Sequence, residues 1–153
     1  MRIALYRLVA PDFPGDDKAG VIGWAELPSR IVDPTDPAWR DFGPVSQRRV
    51  LDFEDRVRSW HDPRPEWDRL RRWAMGPTAQ TKHPAIVLPT LAHAYLPATG
   101  LAGLLAWLHD CHSHGIRVVA LQDRIDADPF ARHPLFLTAE ALWPLVESAS
   151  TAS

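Results

Sequence analysis

"AIVLPTLAHAYLPATGLAGLLAWLHDCHSHGIRVVAL", residues 85–121, carries the fold. Its ends, Ala85–Leu88 and Ile116–Leu121, are near-continuous apolar runs, the pattern of strands covered on both faces in a parallel sheet. Between them Leu101, Leu104, Leu105, Leu108 and Cys111 recur at helical spacing, and Gly115 ends the pattern. A strand, a helix of about four turns and a second strand make a βαβ unit, expected to cross over right-handed.

Working outward, Ile3–Val9 is a third apolar run and a first strand. A second helix is predicted from Arg64 or Pro65 to Met75. Pro65 suits a first turn, Trp67, Leu70 and Ala74 share a face, and Gly76-Pro77 stops it. A strand is expected at Arg30–Val32, a proline-punctuated loop over "DPTDPAWRDFGP" (33–44), and a helix from Ser46 to Trp60 carrying Val50, Phe53 and Val57 on one face. After Arg124 the chain is expected to turn through "IDADPFARHP", and a last helical segment starts at Thr138, which Pro144 must kink or split. Residues 1–148 read as one domain and 149–153 as a disordered tail.

The chain has 153 residues, 46% hydrophobic and 24% charged, with a net charge of -2, so no global pull toward nucleic acid or acidic membranes operates. No apolar run approaches the roughly 20 residues of a membrane helix, and no signal-peptide pattern opens the sequence. Cys111 alone forms no internal disulfide, which points to the cytoplasm. Fifteen prolines lengthen loops, and seven tryptophans are expected to pin some of them by aromatic packing.

"HDCHSHG" (109–115) invites a metal reading. Helical geometry works against it. Cys111 and His112 fall within the leucine face, Asp110 and His114 point the other way, and His109 and His112 are the pair able to share an ion. Imidazoles near a helix C-terminus are better explained by its dipole and last carbonyls, so neither a metal nor any other cofactor is expected. The arginines between Arg48 and Arg72 alternate with acids such as Asp52, Glu54, Asp55, Glu66 and Asp68, the mark of a solvated, salt-bridged face rather than a phosphate-tracking patch. DNA contact therefore has little support from charge. GxGxxG, Walker, GxSxG and HExxH motifs are absent from the sequence.

Taken in order, "MRIALYRLVA", "RPEWDRLRRWAMG", "HPAIVLPTLAHAYL" and "GLLAWLHDCHSHGIRVVALQDRIDADPFARHPLF" resemble the catalytic domain of the serine recombinases, the resolvase/invertase family. The match covers the start and roughly residues 63 to 138; residues 11–62 do not align. The resemblance implies an α/β three-layer sandwich, a mostly parallel sheet of four to five strands flanked by helices.

In that family the first strand delivers a serine that attacks a DNA phosphate, with arginines around it. Here the serine position is Ala10 and the arginine two residues earlier is Leu8. The family's later Asp-Arg pair reads Ala92-His93, its last arginine reads Leu96, and Arg64 in "RPEWD" matches one active-site arginine. The resemblance thus implies a degenerate site without catalytic residues, in a domain that serves as an interaction or regulatory module, bound to a protein partner or to itself, in DNA recombination or another DNA-processing complex. The alternative is a small hydrolase acting on a phosphorylated small molecule at the carboxyl ends of the strands, where Asp12 or Asp123, Arg64 and His93 would meet in a crevice.

Overall fold

The computed structural model describes residues 1–13, 22–76, 84–135 and 137–150, the last six as backbone. Five strands form one sheet: β1 (Arg2–Val9), β2 (Arg49–Arg56), β3 (Ala85–Leu88), β4 (Arg117–Ala120) and β5 (Ile125–Ala127), in the order β2-β1-β3-β4-β5. The first four run parallel, and β5 adds antiparallel to β4. Because side chains alternate across a strand, β1 feeds two cores. Ala4, Tyr6 and Leu8 join Ile86, Leu88, Val118 and Ala120 on one face, while Ile3 and Leu5 join Ala85, Val87 and Val119 on the other.

Helices α2 (Pro65–Ala74), α3 (Gly100–Ser113) and α4 (Ala139–Ser150) serve the first face. Trp67, Leu70 and Ala74 of α2 and Leu104, Trp107, Leu108 and Cys111 of α3 are buried there. The second face is covered by residues 22–42, pinned by buried Trp24, Leu27, Ile31, Trp39 and Phe42. The molecule is therefore an α/β three-layer arrangement, with a mostly parallel five-stranded sheet in the middle. Gly115, at φ 70°, ends α3: Ile116 N–H returns to Cys111 O and Gly115 N–H to His112 O, the two bonds of a Schellman motif.

Several sequence expectations are corrected. Residues 49–56 are strand β2, not part of a helix from Ser46 to Trp60. The i, i+3, i+7 spacing of Val50, Phe53 and Val57 masked an alternation in which Leu51, Phe53 and Asp55 face inward; an acid at an inward position hides period two from a hydrophobicity pattern. Arg30–Val32 is not a strand but the end of a short helix, α1 (Leu27–Ile31), opened by Pro28 and buried through Leu27 and Ile31. Part of the expected 33–44 loop is a 3₁₀ segment, Pro37–Phe42, started by Asp36, whose carboxylate accepts from Ala38 N–H. The expected turn after Arg124 contains β5. Helix α4 is continuous through Pro144 and reaches Ser150, so it is not split there; residues 151–153 of the expected tail lie outside the described residues. Among the described residues no helix is long and apolar enough to cross a membrane.

Candidate functional site

At the carboxyl end of β1 the chain closes a turn, with Phe13 N–H donating to Ala10 O at 3.0 Å. Ala10 is buried, in the same core cluster as Phe13 and Trp60. Phe13 stacks on Trp60 with centroids 5.4 Å apart and meets His93 edge-on at 4.8 Å, and Trp60 stacks in turn on Tyr95 at 5.8 Å. The tip of the first strand is thus roofed by Phe13, Trp60, His93 and Tyr95.

His93 is fully buried in the turn after β3, and its Nδ1 accepts a 3.0 Å bond from Leu8 N–H. The strand ladder explains why. The β1–β3 register ends at Leu5 and Val87, so no β3 carbonyl reaches Leu8, and the imidazole stands in for the missing strand. Arg64 is also buried. Its Nη1 donates to His93 O and its Nη2 to Trp60 O, each at 3.0 Å, tying the turn after β2 to the turn after β3. Burial lowers its pKa, and the nearby Tyr6 and Asp55 counter that effect.

Beside Arg64 lies a buried pair that sequence reasoning missed. Tyr6 OH donates to Asp55 Oδ2 at 2.8 Å, and the same carboxylate accepts from Glu66 N–H at 3.0 Å and Trp67 N–H at 2.9 Å. Arg64, in the capping position of α2, offers no side-chain bond to that helix, so Asp55 from β2 serves its first-turn donors across the sheet edge. The available signal was a tyrosine on the inward face of β1, whose hydroxyl needs a buried acceptor.

The groups expected at the crevice are gathered by two turns, and each is bound to the protein itself. Asp12 accepts from Ser59 Oγ at 2.6 Å and Trp60 N–H at 2.9 Å, and the Ser59 hydroxyl holds its carboxyl below the ordinary range. Asp123 accepts from Leu91 N–H at 2.8 Å. Arg64 and Asp12 therefore flank the Trp60 backbone, while Asp123 and His93 are fixed to the 91–94 turn. Leu8 and Ala92 are buried, and Leu96 packs against the same core.

His109, Cys111 and His112 line a small cavity of about 40 Å³ with Leu135 and Leu137. Burial pushes the Cys111 thiol well up. Among the described residues, no group of three or more His, Cys, Asp or Glu side chains could hold a metal ion.

No protein-family model matches the chain, and no curated protein matches it. Among solved structures it is similar to a resolvase family site-specific recombinase from Streptococcus pneumoniae, at 14% identity and a TM-score of 0.50, covering 98% of this chain and 83% of that one. The fold is resolvase-like. In this resolvase-like sheet Ala10 lies at the end of the first strand, with Leu8, Arg64, Ala92 and His93 around it, bound and buried as described.

Burial and the adjacent Asp55 push the Tyr6 hydroxyl far above its ordinary value. The unfolded chain releases that proton above about pH 10 and the folded chain keeps it. The folded state then binds more protons, so stability falls as pH rises, by up to about 1.4 kcal/mol per unit from this group. Cys111 acts in the same sense from about pH 8.5. Urea titrations in a Cys111→Ala background should show the alkaline decline, and Tyr6→Phe should flatten it. An unchanged slope in Tyr6→Phe would assign the decline elsewhere.

Proposed function

We propose that this chain is a resolvase-fold domain without strand-tip chemistry, working as an interaction or regulatory module that engages a protein partner or a second copy of itself, in DNA recombination or another DNA-processing complex in the cytoplasm. One observation carries the reading: the end of β1 holds a buried alanine under an aromatic roof, and the neighbouring Arg64 and His93 are hydrogen-bonded to main chain. Phosphoryl transfer needs an activated nucleophile and cations free to meet developing charge. A fold kept after that chemistry has gone is kept for its surfaces. The hydrolase alternative has weaker support, because Asp12, Arg64, His93 and Asp123 each hold a turn in place.

Purified protein should neither nick nor relax supercoiled plasmid, and Ala10→Ser should leave no phosphoseryl–DNA adduct. Phosphate-holding arginines are worth about 10³- to 10⁵-fold in rate, and Leu8, Ala92, His93 and Leu96 stand where the resemblance places charged groups. Gel assays and mass spectrometry of denatured protein–DNA mixtures read both outcomes. An adduct with the natural sequence would sink the proposal. A strict monomer by sedimentation, with no binding to recombination or DNA-processing proteins, would remove its interaction half.

A further inference from the structure

At the opposite end of the sheet from Ala10, β1 and β2 begin with arginines in register, Arg2 against Arg49. Parallel neighbours in register point to the same face, so the two guanidinium groups extend from adjacent strands on one side of the sheet. Like charges placed side by side on a sheet are destabilising. The register cannot slip to relieve them, because a shift of one residue would turn Ile3, Leu5, Tyr6 and Leu8 out of their cores. Nearby arginines have internal acceptors: Arg48 donates to Gly43 O and Ile31 O, and Arg117 is held by both Asp126 oxygens. Among the described residues, Arg2 and Arg49 have no carboxylate within ion-pair distance.

The backbone beneath them is fixed, since Arg49 N–H donates to Met1 O at 3.0 Å and the Met1 amino group to Gln47 O at 2.8 Å. Met1, Arg2, Gln47 and Arg49 line an open cavity of about 510 Å³. Two guanidinium groups borne on neighbouring strands can both donate to one tetrahedral oxyanion, which would cancel their repulsion. We infer that Arg2 and Arg49 form a binding site for the phosphoryl group of a small phosphorylated ligand, with Gln47 at its edge. The cavity is larger than phosphate itself and leaves room for the rest of such a molecule. The inference is independent of the fate of the strand tip around Ala10.

The probe is inorganic phosphate, titrated calorimetrically and by thermal unfolding against sodium chloride at matched ionic strength. Saturable binding with a Kd on the order of 1 mM is expected for so few contacts, with a matching rise in Tm. Arg2→Gln and Arg49→Gln should each weaken it about tenfold, the size expected for losing one charge-assisted pair. Arg49→Lys, which keeps charge without the fork, should fall between them and the natural protein. Without phosphate the glutamine variants should melt no lower than the natural protein, because they remove a repulsion; that outcome also shows they fold. No saturable effect beyond chloride, or equal binding by the variants, would overturn the site. A short DNA duplex that binds through Arg2 and Arg49 but is not displaced by phosphate would overturn the small-ligand assignment.

Discussion

Asp55→Ala should destabilise the domain more than any other single truncation, by roughly 4–6 kcal/mol. The carboxylate is 3% exposed and accepts three bonds, from Tyr6 OH and from the Glu66 and Trp67 amides. Removing one member of a buried charged network costs about 3–5 kcal/mol, because what remains is buried and unserved, here the Tyr6 hydroxyl, while the buried Arg64 loses a nearby counter-charge. Loss of a helix N-terminal acceptor adds about 1 kcal/mol. Since whole domains are stable by only about 5–15 kcal/mol, the variant should be largely unfolded or recovered as a loosely packed species. Asp55→Asn keeps one acceptor oxygen and the shape, so urea denaturation should place it between the two. A loss below about 1 kcal/mol in Asp55→Ala would mean that water, not Asp55, serves those donors.

Much of the fold was legible because its interior strands obey one rule. Ala85–Leu88 and Arg117–Ala120 are buried on both faces, so their hydrophobic runs are continuous, and α3 between them ends at a glycine the Schellman motif requires. Helix α2 announced itself through Pro65 and the Trp67, Leu70, Ala74 stripe. Edge strand β2 was not legible. Asp52, Glu54 and Arg56 on its outward face are charged, as edge strands often are, and its inward Asp55 breaks the alternation because it serves a helix that begins ten residues further on.

Around the end of β1 the sequence named residues without giving their roles. Leu8, Ala10 and Ala92 belong to one core cluster, and His93 is hydrogen-bonded to Leu8 N–H and to Arg64. Whether an arginine or histidine faces a ligand or the main chain depends on which carbonyls and amides the turns leave open, and those turns are set by tertiary packing. Phe13 and Trp60, which roof the tip, lie in the stretch of residues 11–62 where no resemblance guides the reading.

The same dependence makes His93 the second large effect. Its ring fills space beside Phe13 and its Nδ1 accepts from Leu8 N–H where β3 has already ended. His93→Ala removes a buried ring, at roughly 2–5 kcal/mol for large-to-small core changes, and orphans a buried amide, at about 1–3 kcal/mol. Partial collapse of Phe13 into the space offsets some of this, so a net loss of about 3–5 kcal/mol is expected. His93→Asn separates the contributions. Its Oδ1 can stand close to where Nδ1 stood, so it should restore protection of the Leu8 amide in hydrogen exchange while still losing the ring's packing. If His93 were instead a solvent-facing base, both variants would unfold near the natural midpoint and the Leu8 amide would exchange at an unchanged rate. Loss of Leu8 protection in His93→Ala and its return in His93→Asn would establish the imidazole as the missing rung of the sheet.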